Sequence, residues 1–252
     1  TLSHNKNKIK ELVRDYVHPE TGELINKDRL DVGGLGKARF ILKEGGTLGD
    51  LYTQSDLKRD DNGMVDIDPT GIVAIENNLP DIKLGSVFPK ANLAWSNHFS
   101  WKGISLSALF TARIGGIVYS ATEAAMDQYG VSERSALARD NGGVLVNNRT
   151  LVDAQNYYTT IGSESGLPQY YTYNATNVRL QEASIGYLIP RKWLGNVCDI
   201  QVSVIGRNLW MIYNKAPFDP ESVATTDNYY QGIDYFMLPS TRNIGFNVKI
   251  NF

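Results

Sequence analysis

The sequence predicts an all-β, antiparallel fold of the membrane-spanning barrel kind, with short turns on one side and long loops on the other. Three observations carry this. The chain ends on NIGFNVKINF, where Ile244, Phe246, Val248, Ile250 and Phe252 alternate with Gly245, Asn247, Lys249 and Asn251. That is the two-residue period of a strand with one apolar and one wet face. Internal runs of about ten residues repeat the period, the length that a tilted spanning strand needs. Between them lie long segments rich in Tyr, Asn, Thr and Gly without any sustained period, and loops of that length are uncommon in compact soluble domains.

In chain order, residues 20–85 read as short β-hairpins around glycine pairs and Asn62-Gly63. In ANLAWSNHFSW, Ala91, Leu93, Trp95, Phe99 and Trp101 share a face opposite Asn92, Ser96, His98 and Ser100. In SLSALFTARI, Leu106, Ala108, Phe110, Ala112 and Ile114 do the same, and Lys102-Gly103 between the two runs is a tight-hairpin signal. Residues 120–140, SATEAAMDQYGVSERSALARD, form the one convincing helical stretch, interrupted by Gly130. Segments 153–177 and 211–240 read as aperiodic loops. ASIGYLIP places Ala183, Ile185, Tyr187 and Ile189 on one face, and IQVSVIG adds Ile200, Val202 and Val204. Antiparallel strands are therefore expected over 82–119, 178–210 and 240–252, with the helical stretch and both loops on the side opposite the Lys102-Gly103 turn.

Composition excludes several classes. With 25 basic and 27 acidic residues there is no electrostatic footprint for nucleic acid and no polybasic membrane patch. A single cysteine, Cys198, rules out an internal disulfide framework and reads as a small filler in or beside a strand. No apolar run reaches the ~18 residues of a spanning helix, which leaves spanning strands untouched. The chain opens on TLSHNKNKIK without a recognisable targeting segment, and is expected to be part of a longer protein.

No catalytic constellation is legible. His4, His18 and His98 have no carboxylate or cysteine at ligand spacing, so neither a metal nor a cofactor is expected. GGLGKA fits neither phosphate-binding glycine pattern. In DLKRDDNGMVDIDP, placing Gly63 at position six of a calcium loop puts Lys58 first and Pro69 twelfth. A solvated hairpin tip is the better account, with an irregular calcium site as the alternative. The loop tyrosines Tyr157, Tyr158, Tyr170, Tyr171, Tyr229 and Tyr230 are candidate substrate-binding residues, since each offers an apolar face and a polar tip to a sugar ring. Packing within the loops or an interfacial aromatic girdle is the competing explanation.

Four motifs then follow in order over the last third. A strand carrying Arg179 and Leu180 ends in Gly186, Tyr187 and Pro190; the next ends in Asn208 and Leu209. A loop carries Asp219, Pro220 and Glu221, and Pro239 and Arg242 lead into the final strand. This series resembles the closing strands of SusC/RagA-like TonB-linked outer-membrane proteins. GDLYTQSDLKRDDNG and the 88–116 segment extend the resemblance over most of residues 45–252.

The resemblance implies a barrel of about 22 strands filled by an N-terminal plug, of which residues 1–252 would be the C-terminal part. It implies a non-enzymatic importer in the outer membrane of a Gram-negative bacterium, taking up glycan or peptide. The partners would be a SusD-like surface lipoprotein, outer-membrane lipid, and the TonB complex through an N-terminal part absent from this chain. It also makes Phe246, Val248, Ile250 and Phe252 an assembly signal. The alternative is a soluble β-sandwich carbohydrate-binding module or glycosidase domain. In that fold Trp95, Phe99, Trp101, Phe110 and Phe246 would meet in one core, whereas a barrel turns them outward.

Overall fold

Alternation becomes a sheet where the long runs pair edge to edge. The computed structural model describes residues 1–225 and 230–251. Five strands, Ala91–Trp101 (β1), Ile104–Ile114 (β2), Asn177–Ile189 (β3), Asp199–Asn214 (β4) and Asn243–Asn251 (β5), pair antiparallel in that order. The short Leu2–Ser3 strand adds to β1, with Leu2 opposite Leu93. Lys102 and Gly103 both have positive φ, 48° and 87°, the backbone of a two-residue primed turn whose twist matches its strands. The hairpin read from the sequence is the one observed.

At that same end residues 190–198 join β3 to β4 through one 3₁₀ turn, Arg191–Trp193. The 178–210 block is thus two strands interrupted by a helical turn, a correction to the expectation of strand throughout. Pro190 has no N–H for the ladder, and Gly195 and Asn196 reverse the chain with φ of 65° and 63°. The last strand begins at Asn243 rather than at 240. Upstream of Asn243, the Asn208 side chain takes the Thr241 carbonyl at 3.2 Å in place of a backbone partner. Phe252 lies outside the described residues.

The hydrophobic core sits beyond the other end of this sheet. A four-stranded sheet (Arg29–Leu35, Ala38–Lys43, Asp50–Thr53, Ile82–Ser86) supplies Phe40 and Leu51. The segment between β2 and β3 supplies Tyr119, Ala124, Ile161, Leu167 and Tyr171, and Ile233 comes from the segment before β5. These side chains form one buried cluster, a cap built from segments distant in sequence. Residues 20–85 are β as expected, and Gly63 turns with φ 77° beside Asn62.

The helical stretch divides as its sequence predicts into Ala121–Gln128 (α1) and Glu133–Asp140 (α2), with Gly130 at φ 67° between them. Ser120 and Ser132 cap them by accepting from the N–H of Glu123 and Ser135 at 3.0 and 3.1 Å. Segment 153–177 is a correction. It holds a third helix, Ala154–Gly162 (α3), and a short strand, Thr172–Asn174. Asp153 caps α3 through the Asn156 N–H at 3.0 Å. That Asp signal precedes AQNYYTTIG, whose helical face is mostly tyrosine and threonine and so looks polar.

The cap is pinned by a buried carboxylate. Asp127 accepts from Ser132 at 2.5 Å, from Arg134 Nε at 2.9 Å and from Tyr171 Oη at 2.9 Å. The Arg134 guanidinium also lies 4.8 Å from the centre of the Tyr171 ring. Burial opposes the charge on Arg134, but Asp127 more than offsets it and its pKa rises. Asp127→Ala should destabilise the cap by about 3 kcal/mol, the low end for stripping one partner from a buried ion pair, because Arg134 still reaches solvent. Tyr171→Phe should cost only about 1–3 kcal/mol, the range for one lost buried hydrogen bond. Hydrogen exchange across residues 121–171 checks the order of the two.

Candidate functional site

Pairing register aligns the apolar faces of all five long strands. Phe99, Leu106, Ile185, Val204 and Phe246 lie side by side, and so do Trp101, Ile104, Tyr187, Val202 and Val248. Above them run Asn97, Ala108, Ala183, Gly206 and Ile244, then Trp95, Phe110, Leu180 and Trp210. The lowest row is Ile189, Ile200 and Ile250. Almost none of this surface is covered. Phe246 is 82% exposed, Trp101 68% and Trp95 64%, while Phe110 is partly shielded by stacking on Trp95 at 5.5 Å. A soluble sandwich buries these faces against a second layer; here they face outward and the core lies elsewhere.

The belt has a definite height. Ile200 to Trp210 spans ten steps of β4, about 33 Å along the strand and about 25 Å along a barrel axis at the usual tilt of roughly 40°. Trp101, Tyr187 and Trp193 rim it below, and Trp95, Trp210 and Tyr213 above. An apolar band about 25 Å tall between aromatic girdles is what a bilayer requires of a spanning barrel.

The opposite face is polar. Ser107 and Ser184 share a hydrogen bond of 2.6 Å, and Arg207 pairs with Glu182 at 2.9 Å. Gly186 lies in the Ser105–Gly186–Ser203 row, where a Cβ would sit 2.7 Å from Ser105 Oγ and 3.2 Å from Ser203 Cβ. A side chain here would make the Ser105 hydroxyl turn away and press on Ser203, so glycine fits this crossing best.

At the cap end of this face the motif residues converge. Arg179, which is buried, donates to Asp219 at 2.8 and 3.2 Å and to Asn177 Oδ1 at 3.2 Å. Its guanidinium also meets Glu221 at 3.2 Å, and Asn177 donates to that same carboxylate at 3.3 Å. Burial raises the Asp219 carboxyl, but hydrogen bonds from Arg179 and Ser240 outweigh it and hold the pKa below the ordinary value. Arg113 donates to the Val87 carbonyl at 2.8 Å close by. Two motifs separated by some forty residues are thus two halves of one ion cluster clamping the 215–225 loop over the polar face.

The remaining motif residues have local tasks. Asn208 sits in the left-handed region, φ 51°, where β3 and β4 slip register, and Leu209 packs onto Gly206. The Tyr187 ring lies 6.3 Å from Trp193, just past Pro190. Pro220 is buried, whereas Pro239 and Arg242 are exposed.

The candidate tyrosines divide. Tyr171 is fully buried as the partner of Asp127 and offers no face to a ligand, so its place in the set is corrected to a structural one. Tyr157 and Tyr158 sit on α3 with rings edge-on at 5.4 Å, and burial lifts the Tyr157 phenol to about 12. Tyr170 is half-buried against the core. Tyr230 is exposed, edge-on to Phe40 at 6.3 Å, and Tyr229 lies outside the described residues. Of the described members, Tyr157 lies near both Tyr158 and Tyr170, while Tyr230 rests on Phe40. Sequence reading missed Asp127, whose buried role has no signal in a helix that otherwise reads as solvated. Among the described residues no group of three or more His, Cys, Asp or Glu side chains could hold a metal ion.

No protein-family model matches the chain. Among curated proteins it is 25% identical over 179 residues to TonB-dependent receptor P3 of Formosa agariphila, covering 66% of this chain and 17% of that protein. Among solved structures it superposes on the RagAB peptide transporter with a TM-score of 0.58, at 17% identity, over 92% of this chain and 26% of that one. On the RagAB peptide importer in its open-open state the TM-score is 0.61, at 16% identity, over 100% and 26%. The chain thus spans about a quarter or less of the proteins it matches. Together these bear out the resemblance to SusC/RagA-like TonB-linked proteins read from the closing motifs.

Arg179→Met should free the 215–225 loop by removing the cation that Asp219 and Glu221 share, at about 3 kcal/mol. A carboxylate with a depressed folded pKa stabilises above its unfolded value, near 4, and stops doing so as pH falls through the folded one. In the unmodified protein the loop should therefore stay protected from proteolysis at neutral pH and loosen only below about pH 4.

Proposed function

We propose that this chain is the C-terminal barrel portion of a TonB-dependent outer-membrane importer, with no enzymatic activity of its own. The observation that carries the reading is the continuous outward apolar belt, with no core beneath it among the described residues. The curated relative is named a TonB-dependent receptor, and the two solved structures share the fold and are described as peptide transporters. Both edges of the long sheet expose backbone groups without partners among the described residues beyond Leu2–Ser3. In lipid such edges must be satisfied by further strands, which supports a larger closed barrel of which residues 1–252 form the closing part.

On this reading the apolar belt meets lipid and the polar face lines the lumen. The Lys102-Gly103 turn lies on the periplasmic side, and the cap faces outward, where it meets substrate and a SusD-like lipoprotein. The exposed Tyr230 and the part-exposed Tyr157, Tyr158 and Tyr170 are the aromatic contacts available to a glycan or a peptide. The remaining partner, the TonB complex, would act through a part of the protein outside this chain.

Two experiments test this. A strain lacking the full-length gene should lose growth on one class of nutrient, oligosaccharide or peptide, supplied as sole source; unchanged growth on every nutrient tested would count against import. For the barrel, Val248→Arg lies in the row of Trp101 and Tyr187, one row above Ile250, and should cost between the ~2–4 kcal/mol of the bilayer midplane and the ~0–1 of its edge. Asn247→Arg, pointing to the polar side, should leave the folded fraction near normal. A spin label at 248 should be quenched by a lipid-soluble relaxant and one at 247 should not; equal behaviour at both positions refutes the orientation.

A further inference from the structure

The short-turn end of the sheet carries a feature that the importer reading does not use. Strand pairing sets the Lys102-Gly103 turn beside β3, with Leu188 N–H donating to the Gly103 carbonyl at 2.7 Å. The Gly103 Cα packs against the Tyr187 ring, since a Cβ there would lie 3.4 Å from it. Tyr187 in turn lies 6.3 Å from Trp193 in the neighbouring turn. Two tryptophans, Trp101 and Trp193, each 68% exposed, therefore flank one tyrosine along the lower rim of the apolar belt.

Cations sit among them. Lys102 Nζ lies 4.8 Å from the centre of the Trp101 ring, and PRKWLGNVC brings Arg191 and Lys192 next to Trp193 without an acidic residue. Arg191 is answered by Asp199 at 2.9 Å. Lys102 and Lys192 are exposed and have no carboxylate partner among the described residues.

We propose that this rim is a docking collar for anionic phospholipid headgroups, with Lys102 and Lys192 holding phosphate and Trp101 and Trp193 seated at the headgroup boundary. The inference rests on the barrel reading above. The occupant follows from chemistry on both sides of the rim. Ammonium groups supply donors and no acceptors, so they select an anion. The indoles continue directly into the apolar belt, so that anion must be attached to hydrocarbon, and amphipathic rings of this kind settle at a membrane interface. A soluble phosphate would use the lysines alone, whereas a lipid headgroup joins them to the indoles and the belt behind. Two unpaired charges are also too few to track a nucleic-acid backbone.

The test uses the full-length receptor in nanodiscs of phosphatidylcholine alone, of phosphatidylcholine mixed with phosphatidylglycerol, and of phosphatidylcholine mixed with lipopolysaccharide. Native mass spectrometry reads the lipids retained after partial stripping. The unmodified protein should retain phosphatidylglycerol several-fold over phosphatidylcholine at low salt, with the preference shrinking as salt rises. The Lys102→Gln, Lys192→Gln double variant should insert normally and retain the two equally. Equal retention by the unmodified protein, or a preference that survives in the double variant, overturns the collar while leaving the barrel intact. A lysine-dependent preference for lipopolysaccharide over phosphatidylglycerol overturns the assignment to phospholipid. A receptor that does not enter nanodiscs at all refutes the barrel reading, and the collar falls with it.

Discussion

The strict two-residue period of the extended chain is the constraint from which the rest of this structure follows. Once β1 to β5 pair in register, no side chain of the long sheet is free to choose its surroundings. Every second residue joins one apolar surface and every other one joins a polar surface. A one-residue slip would exchange the two surfaces wholesale. Register is accordingly held at its weak points by specific contacts: the primed turn at Lys102-Gly103, the glycine crossing at Gly186, and the left-handed Asn208 where β4 carries an extra residue.

Because one surface of the sheet remains exposed and apolar, the sheet cannot supply a conventional core, and the protein builds one in the cap. This division explains the contrast between the two ends. Near the short turns there is little but strand and rim. Near the cap, a buried carboxylate, Asp127, and a buried guanidinium, Arg179, each gather several partners. Both groups lie where loops must be held against strands or helices without a ladder of backbone hydrogen bonds.

Legibility in the sequence followed the same division. The long strands were plain because alternation at exposed positions is not compromised by packing, and Phe246, Val248 and Ile250 display it without a break. The paired helices were legible through Ser120, Ser132 and Gly130. The α3 helix was not, because its residues face a core made by distant segments, so Tyr157 and Tyr158 looked like loop aromatics. The resemblance motifs identified Arg179, Asp219 and Glu221 separately, but only the fold shows them to be one cluster. Tyr171 was misread for the reason that a tyrosine in a loop-like stretch carries no mark of depth.

The junction between sheet and cap has a thermodynamic consequence. β2 and β3 are paired up to the cap, Arg113 opposite Asn177, and just beyond them the Gly115 N–H donates to Thr176 Oγ1 at 2.9 Å. The ends of the intervening segment are therefore brought together by strand pairing whatever that segment contains. Closing a loop of about sixty residues costs free energy that grows only logarithmically with length, about 0.6 kcal/mol for each doubling. Turns of this segment that add nothing to the buried cluster can therefore lengthen or shorten at little expense to the strands beneath it. Its outer surface is thus free to diversify while the wall that carries it stays the same.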